Sequence, residues 1–199
     1  PFIYATISEN IDIMKKLVAL GADVNMRNED GAAAIHFAAG DGCLERVRWL
    51  VEQGAKVDYP SGGGTPLHWA AAKAGGGSDA QEACAFLASH CKDVDAPNSE
   101  GVSALLTSAA ASADGPCAAL VMHGADCGLI YSGNLTVLHI CAENGLEKVR
   151  QDSYPQIDKF IHLCIYLCIY LSIDLSIYLS IYLSIYLSLY LPIYLSIYL

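Results

Sequence analysis

Two short phrases recur along this chain in a shared register, and that recurrence limits the fold more than any single residue does. The first is GADVN at 21–25, echoed by GAKVD at 54–58, CKDVD at 91–95 and GADCG at 124–128. The steps from 21 to 54 and from 91 to 124 are both thirty-three residues, and the step between them is four longer. The second phrase runs alongside: AAIHFAA at 33–39, TPLHWAA at 65–71, SALLTSA at 103–109 and TVLHICA at 136–142. A period of this length marks a stack of small units, none of which can bury its apolar face alone.

The residues of each phrase say what the unit is. Thr65 is placed to cap a helix, and Pro66 falls in the first turn, where its missing N–H is harmless. Leu67, Ala70 and Ala71 then supply an apolar face, and the pairs Ala38–Ala39 and Ala70–Ala71 let neighbouring helices approach closely. A turn at GDG 40–42 or NG 144–145 leads into a second helix, and within LERVRWLVEQ 44–53 the residues Leu44, Val47, Leu50 and Val51 share one stripe. Gly21, Gly54 and Gly124 follow that helix, where a left-handed residue commonly ends it. The expected unit is helix, turn, helix, extended loop, and the expected fold is an all-α solenoid. KAGGGSDAQEA at 73–83 holds four added residues and is expected to form a glycine-rich turn between the helices of the third unit. The fourth unit departs most from the pattern. Leu106 stands in place of histidine and Ser103 in place of threonine, while Cys91 and Gly128 occupy positions held elsewhere by glycine and by Asn or Asp. That unit is expected to be the least stable of the stack.

These phrases resemble those of the ankyrin repeat family, whose unit carries D-G-x-T-P-L-H-x-A-A and a closing G-A-D-V-N. The closest copies are GGGTPLHWAA at 62–71, EDGAAAIHFAAGDG at 29–42 and LVALGADVNMRNEDG at 17–31. The resemblance implies an ankyrin domain over 1–150, in units of about 1–28, 29–61, 62–98, 99–131 and a truncated 132–150. It implies a non-catalytic binding module that holds a partner protein in a concave groove and on hairpin tips. In that architecture the residue after each histidine faces the groove, which selects Phe37, Trp69, Thr107 and Ile140. The alternative for Phe37 and Trp69 is plain packing against adjacent units. The tips would present Met26, Arg27, Asn28 and Glu29, then Tyr59 and Pro60, then Asn98, Ser99 and Glu100, then Tyr131.

His36, His68 and His139 recur at one repeat position, and with Cys43, Cys84 and Cys141 in the vicinity they raise a Cys–His nucleophile or a metal site. Catalysis needs one constellation, whereas this histidine recurs once per unit, so it is read as hydrogen-bonding backbone or a hydroxyl to fix the loop before its helix. The glycine runs at 62–64 and 75–77 lack the G-K-[ST] of a phosphate loop. No catalytic residue, metal or cofactor is therefore expected.

Up to Arg150 the chain has 10 Lys and Arg against 18 Asp and Glu, net −8, and the whole chain carries −10. So acidic a balance argues against a nucleic-acid partner, whose phosphates require clustered Lys and Arg, and favours a protein with a basic patch. Eight cysteines without paired C-x2-C spacing or a secretory signal are read as buried, reduced thiols in a cytoplasmic chain. The chain opens on Pro1 and ends at Leu199 in mid-pattern, which reads as a fragment.

After a linker at 151–160, residues 161–199 repeat I-Y-L-S in four-residue register. At 39 residues this exceeds the roughly 20 apolar residues of a membrane helix. Its eight tyrosines are spread throughout rather than gathered at two interfaces, and Asp174 and Pro192 interrupt it. A four-residue period advances about 400° on a helix, so no face stays apolar, whereas on a strand Ile and Leu alternate cleanly with Tyr and Ser. ATCT repeated reads Ile, Tyr, Leu, Ser in every forward frame without a stop, and each variant of the motif is one base away. The tail is accordingly read as a translated tetranucleotide repeat, with a membrane segment, and hence a membrane location, as the alternative.

Overall fold

In the computed structural model the described residues are 1–73 and 77–129, together with Thr136, Val137, Ile140 and Asn144. The chain divides into a unit Pro1–Pro155 and a unit Gln156–Leu199. The linker, the tail, most of the fifth repeat, His139 and Tyr131 lie outside the described residues.

Those residues form eight helices and no strands beyond isolated bridges: α1 Phe2–Ile7, α2 Ile11–Ala19, α3 Ala34–Gly40, α4 Leu44–Glu52, α5 Pro66–Ala71, α6 Gly77–His90, α7 Ala104–Ala110 and α8 Asp114–Met122. They pair as α1/α2, α3/α4, α5/α6 and α7/α8, and the pairs stack: α3 lies between α1 and α5, α7 follows α5, and α6 lies between α4 and α8. This is the all-α solenoid expected from the two phrases. The alanine pairs are the reason it closes up. Ala38, Ala39, Ala70 and Ala71 are fully buried between successive short helices, where a larger side chain would hold the helices apart.

Local chemistry sets the helix limits. Thr65 has extended backbone at the N-cap of α5, with Pro66 directly inside, and the Ser103 hydroxyl caps α7 by accepting the Leu106 N–H. After α2, α4 and α8 the chain reverses through Gly21, Gly54 and Gly124 at φ +89, +85 and +86. Within the pairs α1/α2, α3/α4 and α7/α8 the inter-helix turn uses another left-handed residue. Gly42 supplies it at φ +71, while Glu9 and Ser112 occupy the same conformation at φ 58 and 53 despite their Cβ atoms.

Three expectations need correction. Part of the segment read as a turn at 73–83 is helix: Gly77 to Ala83 form the start of α6, which has 14 residues against nine in α2, α4 and α8. Asp79 in the first turn, followed by Ala, Gln and Glu, favours helix over loop, so the added residues lengthen the second helix. The stripe of α4 also differs, because Arg46 is buried beside Val47 and Leu50 while Leu44 and Val51 are only partly so. Not all the thiols are buried: among the described cysteines, none of which forms a disulfide, Cys84 and Cys117 are buried, whereas Cys43, Cys91 and Cys127 are half-exposed.

Candidate functional site

Of the recurring histidines, His36 and His68 sit at the helix starts with both ring nitrogens in use. The Nδ1 atom of His36 accepts the Ala33 N–H at 3.1 Å, so Nε2 carries the proton and donates to the Tyr59 carbonyl at 2.9 Å. His68 repeats this: Nδ1 receives the Thr65 N–H and lies 2.9 Å from the Thr65 hydroxyl, and Nε2 donates to the Val102 carbonyl at 3.0 Å. Each ring thus closes its own helix start and reaches the hairpin of the following unit. Burial holds both imidazoles below their ordinary pKa, keeping them neutral; Arg27 adds to the effect at His36. Burial likewise pushes the Cys84 thiol up to about 12 and the Cys127 thiol up to about 11, away from the thiolate form a nucleophile requires. Among the described residues no group of three His, Cys, Asp or Glu side chains is arranged to hold a metal.

A second series of links follows the closing phrase. The Asn25 amide donates to the Gly54 carbonyl and accepts the Lys56 N–H, both at 2.9 Å. Asp58 accepts the Lys92 N–H at 3.1 Å, and Asp95 accepts the Asp126 N–H at 3.0 Å. The last residue of each phrase is therefore tied to the backbone of the next unit. Gly128 has no side chain with which to continue the series.

One face of the inner helices α1, α3, α5 and α7 carries the aromatic groups. Phe37 and Trp69 are half-buried and meet edge to face, ring centroids 5.3 Å apart. Thr107 follows on α7 with its hydroxyl donated to the Ser103 carbonyl, and Ile140 packs partly buried against the core. The sequence reading stopped one member short. Counting back thirty-three residues from Phe37 gives Tyr4, which is 77% exposed on α1 and shares with Phe37 the lining of a groove of about 210 Å³. Ile7, Met26, Arg27 and Asn28 complete most of its wall. The Tyr4 register is visible in the sequence once the first unit is aligned through Gly21 rather than through its missing opening phrase.

The tips are less free than their sequence variability suggests. Arg27 donates Nε–H to the Gly31 carbonyl at 2.7 Å, reaches the Pro60 carbonyl through Nη2 and stacks over Tyr59 at 5.2 Å. Tyr59 in turn receives the Lys56 ammonium at 2.7 Å from its hydroxyl. The Asn98 oxygen accepts the N–H groups of Glu100 and Val102, both at 2.9 Å, and so folds its own hairpin. Met26 stands out at 56% exposure, and Glu29, Asp30, Ser99 and Glu100 are exposed around it and on the later tip.

Short helix pairs stacked in register, with projecting hairpins and side chains tied to the backbone of the next unit, define a helical repeat scaffold. Its sequence makes the class specific. Residues 2–98 match ankyrin repeats in 3 copies, and this part of the chain belongs to the ankyrin repeat family. Mouse protein phosphatase 1 regulatory subunit 27 is 39% identical over 54 residues, which are 27% of this chain and 35% of that protein. Human palmitoyltransferase ZDHHC13 is 38% identical over 58 residues, 28% of this chain and 9% of the relative. The rice (Oryza sativa subsp. indica) potassium channel AKT1 is 34% identical over 65 residues, 31% of this chain and 7% of the channel. The chain thus spans about a third or less of the length of these relatives. No helix among the described residues is long and apolar enough to cross a membrane.

Proposed function

We propose that the repeats are a non-catalytic interaction module whose groove holds a segment of a partner protein. The observation that carries this reading is the column Tyr4, Phe37, Trp69 and Thr107 on one face of successive inner helices, with its aromatic members only partly covered. Aromatic groups held rigidly in a concave surface give large contact area at little entropic cost, the usual make-up of binding hot spots. The net charge of −10 and the exposed Glu29, Asp30 and Glu100 favour a partner with basic residues around its apolar anchor. Resemblance to a phosphatase regulatory subunit supports a regulatory or scaffolding setting.

A test is replacement of Phe37 and Tyr4 together by Ala, positions whose side chains are partly exposed. Affinity for a partner identified by cross-linking is expected to fall at least about tenfold, or about 1.4 kcal/mol, with far-ultraviolet circular dichroism unchanged. Unaltered affinity in the folded variant would refute the groove.

A second reading makes the repeats the arm of a membrane protein. It is favoured by the resemblance to a palmitoyltransferase and a potassium channel and by the apolar composition of 161–199. Carbonate-resistant sedimentation with membranes supports it, and extraction into the supernatant opposes it.

A further inference from the structure

Trp69 is held from four sides. Its Nε1–H donates to the Ser61 hydroxyl at 3.1 Å, and that hydroxyl donates to the Gly64 carbonyl at 2.7 Å. Its benzo edge lies on the end of α3, where a methyl at Gly40 would sit 3.2 Å from Cε3. Its pyrrole edge covers the tip, where a methyl at Gly63 would come to 2.9 Å from Nε1 and 3.4 Å from Cε2. The rings of His36 and Phe37 meet it edge to face at 5.6 and 5.3 Å.

Neither Gly40 nor Gly63 has a left-handed φ. Backbone geometry therefore does not demand glycine at either position, and inside α3 glycine is less favourable than alanine. What both positions share is the indole lying where a Cβ would be.

We propose that Gly40, Ser61 and Gly63 are positioning residues that form a socket for Trp69. The socket fixes the indole edge-on to Phe37 and so sets the shape of apolar side chain a partner can seat there. The proposal rests on the groove reading above for its consequence, though not for its geometry. The shorter third hairpin fits it. From Gly54 to His68 there are fourteen steps, whereas from Gly21 to His36 there are fifteen, and the tip closes tightly through the Ser61–Gly64 bridge beside the indole.

The experiment uses the full chain in a Trp49→Phe background, which leaves Trp69 as the lone tryptophan of the two. Ser61→Ala and Gly63→Ala are expected to abolish most of the near-ultraviolet dichroism of the indole while the far-ultraviolet spectrum stays. Gly63→Ala should also lower the urea midpoint when Trp69 is present and have no effect when Trp69 is Phe, because the clashing ring edge is gone. An equal loss in both backgrounds overturns the socket, as does an unchanged indole spectrum in Ser61→Ala. Should Trp49→Phe fail to fold, the same coupling is read from urea midpoints with Trp49 in place.

The consequence for recognition is read with peptides selected on the native chain from a displayed library of random sequence. Ser61→Ala is expected to weaken them about tenfold. If Phe37→Ala abolishes their binding and Ser61→Ala leaves it intact, the groove stands and the selective role of the socket is overturned. If Phe37→Ala also leaves it intact, the groove itself falls, and the spectroscopic result still decides the geometry.

Discussion

At the residue scale, the histidines define how a neutral imidazole does structural work. Each ring needs Nδ1 bare to accept an N–H, so protonation sets two N–H groups against one another. Since both folded pKa values lie below the ordinary 6.5, the unfolded chain takes up protons first as pH falls. Stability is accordingly full above about pH 6.5 and declines below it. The melting temperature is expected to drop between pH 6.5 and 5 by more in the native chain than in a His36→Leu/His68→Leu variant, which loses these two contributions. At neutral pH His68→Leu alone should cost about 1–3 kcal/mol in urea unfolding, since the Thr65 N–H and Val102 carbonyl lose their partner. Much at this scale could be read in advance, because a histidine that recurs once per unit belongs to the unit. The reach of its second nitrogen into the following hairpin was not legible, since it joins residues 23 or 34 apart through the stacking geometry.

At the element scale, helix starts, alanine pairs and terminating glycines were legible because each follows from local chemistry. Two features were not. Arg46 falls outside the stripe Leu44, Val47, Leu50 and Val51, yet it is 5% exposed, donating from Nη1 to the Thr6 carbonyl and to Asp41, both at 2.8 Å. A charge goes inside when partners from another unit are waiting for it, which no periodicity within α4 can announce. The extension of α6 was hidden by the glycine run that precedes it. The inter-helix turns offer a test of strain: Ser112 occupies the conformation that Gly42 takes freely. Ser112→Gly is expected to stabilise the chain by about 1 kcal/mol in urea unfolding, whereas Gly42→Ala should destabilise it, with Ala80 2.9 Å from the added methyl.

At the scale of the whole array, stability is a sum of weak units and the interfaces that couple them. Asn25, Asp58 and Asp95 couple them at one edge, His36 and His68 at the start of the inner helices. Breaking both kinds of link around one junction should uncouple the stack. A His68→Leu/Asp95→Ala variant, which loses both links between the α5/α6 and α7/α8 pairs, is expected to unfold in two urea steps, the tryptophan signal and the far-ultraviolet signal no longer coinciding, where the native chain gives one. A single coincident transition in the variant would show that apolar packing alone carries the cooperativity. The period made this architecture legible, because repetition at a fixed interval leaves a solenoid as the natural way to bury every unit. The aromatic column was legible only as a register. Whether its members are free or held depended on Ser61 and two glycines that look like turn residues in the sequence.

Trp69 and its glycines also impose an order on change. An alanine at 63 collides with the indole and one at 40 presses tightly against it, but after Trp69 has been replaced by something smaller either alanine is admitted. Once one is in place, the route back to tryptophan is obstructed. The socket is thus a ratchet on the history of this surface: the large ring must leave first, and whatever fills the space behind it decides whether it can return.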